Sequence, residues 1–437
     1  MTGLIKASKR YPRLLLLSSL LLAGCDQGSS SAAVNKGISV APLTEINANL
    51  AFTCTHERFP EPAADPDILF KYARWLQVNN LLKQDAEIDV EIARLYRIAA
   101  ENGHVKANIN LQNGALRGRF SLTGEERLRF SQQLIDVDVA SGYYFIAIYL
   151  QHGAAGLKQD DEMALRYYRK AADEGSGLAQ AYVAEKLIRS RKALDVASQM
   201  ERCAAKQGNG KSASMLGITL QDQGHYQEAM EAFQLGAAAG DSASASWLSA
   251  AFLDPEPSDE LNYMGQQKDE ERARRYKAIW RVLSNYSYAS PKVPEINEIV
   301  PLPPAKLPAW DGKLQWVEAW KANVPTTKPS AALIAQLAQD KQLNPVTGRP
   351  LPTSPNFDKD SVAYLLCRSG EPCPYSGYWQ VVYRPYIGSS QRDICYFKQG
   401  EVMPTDLVEI FRPRPWPLSD HYIQQEQWVE WQLVGEA

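Results

Sequence analysis

The side chains that could carry nucleophilic, metal-ion or acid–base chemistry in this 437-residue sequence are scattered. The histidines are His56, His104, His152, His225 and His421, and none pairs with another at a ligand spacing such as His-Glu-x-x-His. No serine occupies a Gly-x-Ser-x-Gly elbow. Lys211 lies in NGNGKSAS, which lacks the Gly-x-x-x-x-Gly-Lys spacing of a phosphate loop. Asp160, Asp161 and Glu162 adjoin a helix start, where negative charge favours the exposed backbone amides. The cluster KDEERARR from Lys268 reads as a solvated helix face. No catalytic residue, metal site or cofactor is therefore expected, and the chain is read as a binding protein, not an enzyme.

The cysteines carry more information. Five of the six, Cys54, Cys203, Cys367, Cys373 and Cys395, are candidate disulfide cysteines if the chain is exported. Their number is odd, so one thiol is left over, and the sequence does not select the pairing. A Cys367–Cys373 or Cys373–Cys395 bond would staple a small C-terminal unit. No Cys-x-x-Cys or nearby histidine pair supplies a zinc spacing.

The sixth, Cys25, stands in a different setting. Lys6, Lys9, Arg10 and Arg13 precede the apolar run Leu14 to Leu22, and the run ends in Leu22, Ala23, Gly24 and Cys25. Such a run is too short to be a stable membrane span and reads as a secretory signal over residues 1–24. It resembles a bacterial lipoprotein signal. That resemblance implies cleavage before Cys25, lipid attachment at Cys25, and a place on the periplasmic side of a bacterial membrane. Asp26, directly after Cys25, resembles an inner-membrane retention signal, which implies the inner membrane. Residues 25–48, rich in Ser, Ala, Gly and Asn, read as a flexible tether. Losing the four basic residues with the signal takes the net charge from −3 to −7, which argues against nucleic acid as a partner.

The middle of the chain repeats. YRIAAENGH from Tyr96, YYRKAADEGS from Tyr167, ERCAAKQGN from Glu201 and FQLGAAAGD from Phe233 share small residues followed by glycine. Gly103, Gly175, Gly208 and Gly240, with Gly142 inserted, are spaced 39, 33, 33 and 32 residues apart and are expected to be helix C-cap glycines. Ala164, Tyr167, Tyr168, Ala171 and Ala172 form one stripe of a 3.6-residue helix, which must face another helix. Each hairpin buries little alone, so neighbours stack. The fold class is mainly α: a right-handed α-solenoid of helical hairpins over 49–290, with a Pro/Trp-rich linker packing on it at 291–329. Residues 330–437 read as a short helix and a small β-rich domain, with strands at SVAYLLC, YWQVVYR, ICYFKQG and QWVEWQLV.

The stretch from Ser141 to Gln180 resembles a Sel-like repeat, of the tetratricopeptide-related family. Its Gly153, Gly156 and Asp161 and the Tyr167 to Gly175 signature carry the likeness. Other units are degenerate: Glu201 replaces an aromatic, and Gly236 replaces an alanine. The wider pattern of a lipobox, FTCTHE, LFKYARWLQ, KVPEINEIVPLPPAKLPAWDG and CPYSGYW resembles Sel-like lipoproteins that serve as type VI secretion immunity proteins against phospholipase effectors. The resemblance implies a periplasmic, membrane-anchored protein that binds a cognate phospholipase effector and neutralises it by occlusion. Two alternatives remain: a periplasmic adaptor that regulates an envelope enzyme or receptor, and an enzyme in the C-terminal sheet with Cys373 as nucleophile.

Overall fold

Helix starts between residues 64 and 285 repeatedly carry a side chain able to accept the orphan amides of a first turn. Asp85, His104, Asp160, Ser176, Asn209, Asp241 and Asp269 do so, and Thr123 with Glu126 forms a reciprocal capping box. Twelve helices result in the computed structural model: α1 Ala64–Asn79, α2 Ala86–Glu101, α3 Val105–Leu116, α4 Gly124–Ile135, α5 Ser141–His152, α6 Asp161–Asp173, α7 Gly177–Ser190, α8 Leu194–Lys206, α9 Gly210–Asp222, α10 Tyr226–Ala238, α11 Ser242–Ala251 and α12 Glu270–Asn285. The structure describes residues 51–351, 353–357, 366–381, 387–390, 394–412 and 421–436. Cys25, Asp26 and the expected signal and tether lie outside them. No helix among the described residues is long and apolar enough to cross a membrane.

Each helix packs on its sequence neighbours, giving an α-solenoid of helical hairpins. The core is a chain of local clusters, from Leu69, Ile92, Tyr96 and Phe130 at one end, through Tyr167 and Tyr168, to Phe233, Phe252 and Tyr276 at the other. Lys211 of α9 pairs with Glu185 of α7 at 3.4 Å, and Arg202 of α8 pairs with Glu228 of α10 at 3.1 Å. Odd-numbered helices therefore share one face of the stack and even-numbered helices the other.

Beyond α12 the chain turns back along the stack. Val293, Ile296 and Ile299, on and beside α13 Ile296–Ile299, bury against Tyr276 and Leu283. α14, Gln315–Ala322, is a helix that the proline density of this stretch concealed; it occupies the proline-free interval between Pro308 and Pro325. Asn323 then accepts a hydrogen bond from the Trp75 indole of α1 at 3.1 Å. α15, Ala331–Asp340, buries Ile334 and Leu337 among Leu69, Ala73 and Ile98. The returning segment thus joins the last hairpin to the first.

The C-terminal strands are β1 Leu366–Arg368, β2 Gly377–Val381, β3 Ile387–Ser390, β4 Cys395–Phe397, β5 Asp406–Arg412, β6 His421–Gln427 and β7 Glu430–Glu436. They form two antiparallel sheets, ordered β1-β7-β2-β4 and β3-β5-β6. Part of SVAYLLC lies outside the described residues. QWVEWQLV is not one strand: β6 ends before Trp428, and β7 begins after Val429. Buried Trp379 and Trp431 fill the first sheet's core.

Candidate interaction surface

Gly103, Gly175, Gly208 and Gly240 each directly follow a helix's capping residue, with φ of +83°, +108°, +85° and +103°. Gly142 does not. It is the second residue of α5, packed so closely on α4 that a Cβ would lie 2.5 Å from the Ser131 carbonyl oxygen. The left-handed residue of that turn is Asp138, with φ +56°, and Val139 N donates to Leu134 O as His104 N does to Ala99 O. Aspartate visits this conformation more readily than most residues, so the turn survives without glycine and the register inferred from Gly142 is four residues late.

Two of these glycines also yield space to another segment. At Gly240 a Cβ would lie 2.2 Å from Pro291 O, where the returning segment crosses and Val293 N donates to Ala238 O. At Gly175 a Cβ would lie 2.7 Å from Glu57 N, where residues 51–59 cross. Glu57 N donates to Gly175 O, and the Glu57 carboxylate accepts from Ser141 N and Oγ at 2.5 and 3.0 Å. Burial pushes that carboxyl above its usual range, although the Ser141 hydrogen bonds oppose the shift. Gln180 of α7 donates to Thr55 O.

Cys54 and Cys203 form a disulfide, S–S 2.00 Å, which fixes this segment to α8. His56 lies close enough to both sulfurs to complete a metal-ligand trio, the one such group among the described residues, but the disulfide occupies both thiols. Of the candidate disulfide cysteines, Cys367, Cys373 and Cys395 are free thiols, so neither of the two C-terminal pairings considered is formed. Cys367 and Cys373 are buried in the core formed by Trp379 and Trp431, and the Cys373 sulfur faces Tyr375 O at 3.0 Å. Burial pushes the Cys373 thiol up, opposite to the activation a nucleophile needs.

His104 Nδ1 accepts from Ala107 N, and its Nε2 donates to Asp67 at 3.3 Å, so it caps α3. His225 faces Glu228 at 3.6 Å on the surface. Sequence reading did not single out Glu201 as titratable within the core. It is buried at the register position of Tyr96, Tyr168 and Phe233, and burial alone pushes its carboxyl up to about 7.

The odd-numbered helices α7, α9 and α11 present half-buried or exposed Tyr182, Met215 and Trp247 at equivalent positions of successive hairpins, while the even-numbered helices expose Leu165, Leu194, Leu235 and Trp280. Half-buried Tyr182 of α7 stacks on Tyr168 with ring centroids 3.9 Å apart. Half-buried Trp247 of α11 stacks on Phe233 at 5.9 Å. Between them Met215 of α9 is 38% exposed, beside the Glu185–Lys211 pair. Rings held by neighbouring rings lose little freedom on binding, which suits them to anchor a protein contact.

The family model that matches is described as Domain of unknown function (DUF6396), over residues 244–351, a span that takes in α12 and the returning segment. No curated protein matches the chain. Among solved structures, "Pseudomonas aeruginosa 5086 (PA5086)" is 25% identical, covering 58% of this chain and 95% of that one at a TM-score of 0.43. Immunity protein PA5088 from Pseudomonas aeruginosa is 23% identical, covering 58% and 94% at 0.44. A Sel1 repeat protein from Oxalobacter formigenes is 18% identical, covering 50% and 87% at 0.36.

Proposed function

We propose that this chain is a membrane-tethered immunity protein outside the cytoplasm, which binds an antibacterial phospholipase effector of type VI secretion and holds it inactive by occlusion. The resemblance of its sequence motifs to Sel-like immunity lipoproteins supplies the class of target and the anchor at Cys25. The observation that carries the binding role is the odd-helix face, where Tyr182, Met215 and Trp247 stand on three successive hairpins. Neutralising a catalytic toxin takes a Kd near 1 nM, about −12 kcal/mol, and an interface of roughly 1,600 Å² is large enough to reach it. A face running across several hairpins offers area on that scale.

The test is co-expression with the effector encoded beside the gene, read by survival and by co-elution on gel filtration. Met215→Arg, on the odd-helix face, is expected to abolish protection, whereas Arg202→Glu on the opposite face leaves it intact. Full toxicity with the unaltered chain present, and no complex, would reject the assignment. Equal effects of the two substitutions would reject the face.

A further inference from the structure

Where the returning segment meets α1, a cleft of about 580 Å³ opens. One wall is α1, with Phe70, Lys71, Arg74 and Trp75; the other is α14, with Trp316 and Trp320; Lys292 also lines the cleft. Trp316 and Trp320 stack with centroids 5.1 Å apart, and Tyr286 braces both edge-on at 5.3 and 6.3 Å. The indoles are therefore held as an apolar floor.

The charge of this cleft opposes that of the chain. Its charged lining residues are Lys71, Arg74 and Lys292, in a protein whose net charge is −3. Lys71 is paired with Asp67 at 2.6 Å. Arg74 donates to the neutral Gln77 side chain, and neither Arg74 nor Lys292 has a carboxylate partner among the described residues. Glu318, the acid on α14, is taken by Lys321 at 3.4 Å. The hydroxyl oxygen of Thr326, a residue that lines the cleft, is buried and has no hydrogen-bond partner among the described residues.

We infer that this cleft is a second binding surface, which takes an acidic peptide segment of a protein partner, with an apolar side chain on the two indoles and carboxylates against Arg74 and Lys292. A peptide is favoured over a polyanion because the chain's net negative charge repels an extended anionic surface, whereas a short segment meets only the local field. No residue of α7, α9 or α11, which carry Tyr182, Met215 and Trp247, lines this site, and its test uses no effector.

A random dodecapeptide display library is panned on the folded chain and on the Arg74→Glu/Lys292→Glu variant, whose fold is checked by circular dichroism. Acidic peptides bearing an aliphatic or aromatic residue are expected to be enriched on the first and not on the second. A synthetic copy of the best peptide should change tryptophan fluorescence saturably, bind at least tenfold more weakly to the double variant, and lose most of the signal with Trp320→Ala. Peptides enriched equally on both proteins, or none, would overturn the proposal. So would saturable binding of phosphatidylglycerol vesicles or an oligothymidylate in place of the acidic peptide.

Discussion

Glu201 shows how one residue can set the pH response of a repeat. In the register of its neighbours the position belongs to a ring: Tyr96 and Phe233 are fully buried there and Tyr168 nearly so. A glutamate in that place brings a carboxyl into a site that favours its neutral form, pushed up to about 7 by burial. The unfolded chain ionises it near 4.5. Because the folded value is the higher one, stability is full below pH 4.5, falls as the pH rises towards 7, and is flat above it. Glu201→Gln is expected to leave the melting temperature unchanged at pH 4 and to raise it by a few degrees at pH 8. Parallel melting curves for the two proteins across this range would show that the carboxyl is not confined as described.

The glycine turns at the element scale divide into two kinds. Gly208, with φ +85° and nothing within 4 Å of an added Cβ, meets only a conformational demand. Gly175, with φ +108° and Glu57 N in the way, also lets the N-terminal segment pass. Gly208→Ala is expected to cost roughly 1 kcal/mol, and Gly175→Ala roughly 1–3 kcal/mol more, because the crossing segment must move as well. Urea unfolding of the two variants measures the difference, and equal losses would mean that the crossing contributes nothing.

These turns also mark what the sequence could and could not disclose. A helix followed by glycine is a local pattern, so the hairpins and four of the five turn glycines were legible in the residues themselves. Asp138 was hidden because the turn needs a conformation, not a residue type. The crossing at Gly175 was hidden because Glu57 stands 118 residues earlier in the chain. Cys54–Cys203, at a separation of 149, is non-local in the same way. In the C-terminal unit the alternating apolar residues pointed to strands but not to the pairing order β1-β7-β2-β4, which depends on contacts between distant segments. Nor could spacing show that the odd-helix face and the cleft at Trp320 remain open, since both depend on what the returning segment covers.

A stack of hairpins is held only by nearest neighbours and is free to flex along its length, so what joins distant parts decides how it behaves as one body. Here the joint is charged and buried. Arg97 of α2, 1% exposed, donates to Glu126 of α4 at 2.9 Å, to Ser121 O and to Thr347 O of the returning segment. Two residues on, Arg349 reaches Glu371 of the β-rich unit at 3.9 Å and donates to Leu366 O. Burial pushes the Glu126 carboxyl up, but Arg97 and Arg349 outweigh it and hold the group below its usual range. The folded value being the lower one, this contribution to stability is present above pH 4.5 and is lost as the pH falls through the folded value. Removing one partner strands the other without solvent. Arg97→Met is therefore expected to cost about 3–5 kcal/mol, while adding Glu126→Leu recovers part of the loss, since it removes the uncompensated carboxylate but also the capping bond to Thr123 N. Hydrogen exchange should speed up in the single variant at both α4 and β1, because the network spans the solenoid, the returning segment and the first sheet. Additive losses in the double variant, or faster exchange confined to α2 and α4, would show that the three parts are held together by something other than these charges.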